Sequence, residues 1–73
     1  MLARVIHNIY ERDCLGNILD HEACVTENTI VIVVVGSKRN VGHGRNSLTI
    51  VQAITPEGKS VYLNKMYLKN ICS

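Results

Sequence analysis

Apolar positions along this chain fall in short runs broken by glycine, proline and asparagine, the spacing of strands rather than of helices. The stretch from Thr29 to Leu63 organises the rest. Its first strand, Ile30 to Val35, is apolar on both faces, the pattern of a strand buried on both sides. Either this strand bends through a small barrel, or a second copy of the protein covers one of its faces. Gly36 permits the exit bend. The next segment, Ser47 to Thr55, alternates: Leu48, Ile50 and Gln52 face one way, Thr49, Val51 and Ala53 the other. Pro56-Glu57-Gly58 then makes a tight turn, with proline fixing φ at one corner and glycine taking the positive-φ corner. Beyond it Val61 and Leu63 share a face opposite Ser60 and Tyr62.

The flanks read less sharply. Leu2 to Tyr10 forms a strand with Ala3, Val5, His7 and Ile9 on one side and Leu2, Arg4, Ile6, Asn8 and Tyr10 on the other. A helical stripe of Leu2, Val5, Ile6 and Ile9 competes, and the β-branched content favours the strand. Glu11 to Asn17 is a loop. Ile18 to Val25 reads as a short helix capped by Asn17 or, preferably, as a strand over Glu22 to Thr26 that turns at Glu27-Asn28. Asn64 to Tyr67 fits one 3₁₀ turn and Leu68 to Ile71 a closing strand. The class is all-β, with about five antiparallel strands.

Seventy-three residues make a single domain, 1–73, near the lower size at which a core sustains folding alone. The absence of Phe and Trp leaves that core to Ile, Val and Leu, with Tyr10, Tyr62 and Tyr67 at its margins. The run Ile30 to Val35 is far shorter than the ~20 residues of a membrane helix. Arg4, His7 and Asn8 interrupt any leader-like apolar region, so a cytoplasmic protein is expected. Cys14, Cys24 and Cys72 are odd in number and are expected as reduced thiols.

Charge is unevenly spread. Residues 1–29 carry Arg4 and Arg12 against five acids, a net of −3; residues 30–73 carry six Lys and Arg against Glu57, a net of +5. The loop from Ser37 to Asn46 concentrates Lys38, Arg39, His43 and Arg45, with Gly42 and Gly44 allowing backbone N–H groups to approach an anion. It lacks the Gly-Lys-Ser/Thr ending of a phosphate-binding P-loop. The plain alternative is a solvated hairpin loop. Lys59, Lys65 and Lys69 with Tyr62 and Tyr67 form a second basic, aromatic group, suited to single-stranded nucleic acid or, more plainly, to protecting sheet edges. Cys14, His21 and Cys24 offer three zinc ligands, with His7, His43 or Cys72 as a fourth, yet only His21 and Cys24 are closely spaced. A Cys14 or Cys24 nucleophile with His21 as base has no orienting group beside it. The acids Glu11, Asp13, Asp20, Glu22 and Glu27 read as a solvated face or as a docking surface for a basic partner.

Leu48 to Thr55, the turn Pro56-Glu57-Gly58 and Lys59 to Leu63 resemble the distal hairpin of SH3-like barrels. Asn64 to Ile71 is similar to their 3₁₀ turn and terminal strand. The resemblance covers residues 29–71 and implies a small barrel whose last strand pairs near the first. It carries no binding-groove Trp, and the fold hosts protein and nucleic-acid binders alike. No cofactor, metal or small-molecule substrate is expected, and no enzyme. The expected function is a small non-catalytic protein-interaction module, an accessory or inhibitory regulator of a larger enzyme or complex of the kind phages encode, acting on a protein partner or on itself. The alternative is a nucleic-acid-binding barrel. For either, the contact residues are Lys38, Arg39, His43, Arg45, Lys59, Lys65, Tyr62 and Tyr67.

Overall fold

The alternation along Leu48–Ile54 and Ser60–Asn64 builds the longest hairpin of the fold. A computed structural model describes residues 1–22, 24–42 and 44–71. Its strands are β1 (Leu2–Val5), β2 (Ile9–Tyr10), β3 (Cys24–Val25), β4 (Ile30–Val33), β5 (Arg39–Val41), β6 (Leu48–Ile54), β7 (Ser60–Asn64) and β8 (Leu68–Asn70). Short 3₁₀ turns lie at Gly44–Asn46 and Lys65–Tyr67. Among the described residues there is no α-helix, and no helix is long and apolar enough to cross a membrane.

All pairings are antiparallel. In the main sheet β8 pairs with β1, β1 with β4, β4 and β5 with β6, and β6 with β7; β2 and β3 form a separate ribbon. Strands β4 and β5 lie end to end beside β6, so the sheet is five strands wide and curls into a half-barrel. Their registers against β6 differ: Val33 faces Ala53, whereas Arg39 faces Ile50. The surplus residues bulge out between them. Ser37 closes this bulge, its hydroxyl donating to the Val34 carbonyl at 2.6 Å and accepting the Gln52 N–H at 3.0 Å.

The pleat sorts side chains onto two faces. Ala3, Val5, Val31, Val33, Val51, Ala53, Val61 and Leu63 point inward and, with Ile9 and Val25, make the core; Tyr67 and Leu68 pack against it. The outer face carries Ile50, which is fully buried. A strap formed by residues 12–17 covers it. Arg12 bridges to Tyr62 on β7, Gly16 packs on Val41 of β5, and the Arg39 guanidinium donates to the Cys14 carbonyl at 3.0 Å. Ile50 lies between those anchors.

Several expectations need correction. The first strand does not run unbroken to Tyr10; it stops at Val5 and resumes at Ile9, leaving His7 exposed rather than inward. There the Ile6 N–H goes to the Tyr67 carbonyl, and the Asn8 side chain accepts from Glu27 N–H. The strand expected over Ile30 to Val35 ends at Val33, and Val35 is 82% exposed. It is buried on one face only: Val31 and Val33 point inward, while Ile30 and Ile32 are exposed. The segment 37–46 is not all loop, because Arg39–Val41 pairs with β6. Among the described residues of the strand preferred over Glu22 to Thr26, Cys24–Val25 is paired; residue 23 lies outside them.

Candidate functional site

The bulge and the 3₁₀ turn set the site, because they flank the open mouth of the half-barrel. Gly36, at φ 81°, turns the chain out of β4. Asn64 caps the 3₁₀ turn by accepting the Met66 N–H at 3.0 Å, and the Leu68 N–H closes it on the Lys65 carbonyl. Between these two elements lies a cleft of about 450 Å³. Its apolar lining includes Val33, Val34, Val51 and Leu68, and its rim carries Lys38, Lys65 and Lys69. A second, more polar cleft of about 360 Å³ adjoins it, sharing Lys38 and Lys65 and adding Ser47, Thr49 and Asn64.

Among the described residues no carboxylate lines either cleft, and the ion pair found is Lys59 with Glu11, so the three lysines have no acidic partner. Two apolar side chains stand exposed at the same place, Val35 beside the first cleft and Met66 beside the second. The arrangement offers apolar surface beneath a cationic rim, complementary in chemistry to an apolar group that carries negative charge.

The expected contact residues divide. Lys38 and Lys65 come together at the clefts, joined by Lys69. Arg39 lies on the outer face and holds the strap. Arg45 is exposed on the turn Gly44–Asn46. His43 lies outside the described residues. Lys59 is separated from Lys65 by the whole of β7, roughly 20 Å of strand. Its Nζ sits 2.7 Å from the buried Glu11 carboxylate. That hydrogen bond, ahead of the charge attraction to Glu11, holds the Lys59 pKa above its ordinary value. Tyr62 is half-buried opposite Gln52, and Tyr67 meets His7 edge-on at 5.3 Å. Neither tyrosine lines the lysine clefts; Tyr67 lines a separate cleft with His7, Tyr10 and Arg12.

Charge is therefore arranged in space differently from along the sequence. Glu57 belongs to the basic half of the chain, yet it shares the Lys59 end of the molecule with Glu11. The cationic end holds Lys38, Lys65 and Lys69. Sequence reasoning missed the apolar floor of Val33, Val51 and Leu68; the glycine after an unbroken valine run was the available signal for a kink there.

Among the described residues no group of three His, Cys, Asp or Glu side chains is placed to hold a metal ion. Cys14 and Cys24 are exposed free thiols, and His21 meets Tyr10 edge-on at 5.7 Å. Cys72 lies outside the described residues. No protein-family model, curated protein or solved structure matches the chain.

Proposed function

We propose that this chain is a small non-catalytic protein-interaction module with an SH3-like barrel, docking on a larger protein as an accessory or inhibitory regulator. The strand order β8-β1-β4-β6-β7, with a 3₁₀ turn between β7 and β8, supports the SH3-like reading. The observation that carries the function is the lysine-rimmed mouth. Three cations with no acidic partner among the described residues surround an apolar cleft large enough for one or two side chains. The ligand that satisfies both parts is a segment of a protein partner in which an apolar side chain is flanked by carboxylates.

A nucleic-acid reading draws on one observation, the adjoining cleft, where Ser47 and Asn64 join Lys38 and Lys65 as donors for phosphate oxygens, the Thr49 hydroxyl being spent on Asn40 Oδ1 at 2.7 Å. It is the weaker reading, because among the described residues no aromatic side chain lines that cleft to stack a base.

Affinity capture from a lysate of the source cell, with and without nuclease, separates the two. A protein retained after nuclease treatment, and lost with the Lys38→Glu, Lys65→Glu, Lys69→Glu triple variant, supports the proposal. Retention that disappears with nuclease supports the alternative. Direct titration against RNA and DNA then has to weaken steeply with salt.

A further inference from the structure

The outer face of the sheet is covered by the chain itself on one half and bare on the other. The strap of residues 12–17 lies over Val41 and Ile50. Beyond it, Leu2 on β1 faces Ile32 on β4, Ile32 faces Ile54 on β6, and the Ile71 N–H bonds the Leu2 carbonyl from the β8 edge. Four apolar side chains thus form a row across β6, β4 and β1 to the residue that follows β8, with Ile30 in the next row. Leu2, Ile30, Ile32 and Ile71 are each between 41% and 49% exposed, and Ile54 is half-buried. A contiguous apolar band on a small soluble domain marks a contact surface.

Beside Ile30 the same row continues with Arg4 and Lys69, which stand directly opposite each other on β1 and β8. Like charges in that position repel. Among the described residues neither has a carboxylate partner. The carboxylate best placed to reach them from a second molecule is Glu57. Continuing the β4–β6 register two residues past the end of β6 brings residue 56 level with Ile30, so the turn that carries Glu57 lies toward the far end of the row that holds Arg4 and Lys69.

We propose that this face is the contact surface of a homodimer, built around a two-fold axis that runs parallel to the strands between β1 and β4. Such an axis lays β1 against the second copy's β4, and β8 against its β6. Leu2 meets the second copy's Ile32, Ile71 meets its Ile54, and Lys69 comes to its Pro56–Gly58 turn, where Glu57 neutralises the Arg4–Lys69 pair. Each contact occurs twice, as an isologous interface requires. The two sheets then stack about 10 Å apart, as in a β-sandwich. The band is four strands wide, about 19 Å, and two rows deep. Two rows about 13 Å deep give a footprint of about 250 Å² on each copy, below the size of standard interfaces and in the range of weak associations. It is a weak, concentration-dependent dimer.

Sedimentation equilibrium of the purified chain over a concentration series tests this. The expected result is a mass rising from one chain of 8.1 kDa toward two. Ile32→Glu, at an exposed position, is expected to weaken association by about 10-fold or more, with an unchanged circular dichroism spectrum. Lys69→Glu and Glu57→Lys are each expected to weaken it by about 2- to 5-fold, and the double variant to restore it. A monomer at the highest concentration overturns the proposal, whether or not the face then binds another protein or anionic phosphatidylserine vesicles. So does a dimer indifferent to Ile32→Glu, or a charge swap that fails to rescue, since either puts the contact elsewhere. Lys69 also stands at the lysine-rimmed mouth, so Ile32→Glu and Glu57→Lys, at positions outside both mouth clefts, are the variants that separate failure of this dimer from failure of the docking site.

Discussion

Two residues fix the strap more firmly than the rest. Gly16 has φ 89°, and a Cβ there would lie 2.6 Å from Val41 Cγ2. Gly16→Ala therefore strains the backbone and pushes a stiff β-branched neighbour, and urea denaturation is expected to show a loss of about 1–3 kcal/mol. Asp13 accepts the N–H groups of Leu15 at 2.8 Å and Asn17 at 3.0 Å. The Asn17 backbone bond leads in holding the Asp13 pKa below its ordinary value, against a smaller opposing effect of burial. A lowered carboxylate pKa means that the folded chain binds the proton less readily than the unfolded one. The contribution is present above the unfolded value and is lost as pH falls through the folded value. The Leu15 and Asn17 amide resonances are expected to move together in that acidic window, and to stay still in Asp13→Asn. Lys59 works in the reverse sense. Its raised pKa contributes fully below the ordinary lysine value and is lost as pH rises through the folded one. Lys59→Met leaves the buried Glu11 carboxylate without its partner and is expected to lower the melting temperature at neutral pH.

At the scale of elements, the regular parts were legible because local chemistry and global pairing agree there. The turn before Gly58 closes on a hydrogen bond from Gly58 N–H to the Thr55 carbonyl, with Gly58 at φ 86°. The Asn64-capped 3₁₀ turn follows the same logic. What was not legible depends on partners distant in sequence. Six consecutive apolar residues carry no mark saying that Val33 ends the strand; the register difference against β6 decides it. Arg39–Val41 looks like polar loop and becomes strand because β6 offers free ladder positions. The site divides in the same way. Lys38 and Lys65 were identifiable as charges, but the apolar floor between them arises from the bulge and from the incomplete closure of the sheet. The bulge depends on Ser37, so Ser37→Ala leaves the Gln52 N–H without an acceptor. The expected cost is about 1–2 kcal/mol by denaturant titration, with faster amide exchange at Gln52.

For the whole molecule, a curled sheet that does not close has two consequences. Its inside opens between the bulge and the 3₁₀ turn, and part of its outside stays bare beyond the reach of a short strap. The charges follow the same geometry, with Glu11 and Glu57 at one end and Lys38, Lys65 and Lys69 at the other. We propose that a protein partner docks at the lysine-rimmed mouth. The most direct measurement is a ¹H–¹⁵N correlation spectrum of the labelled chain, titrated with the partner recovered by capture. Shift changes are expected to concentrate at Val33 to Lys38 and Lys65 to Asn70, and to vanish in the triple lysine variant. Changes confined to the strap or to the outer face, with the mouth unmoved, would contradict it.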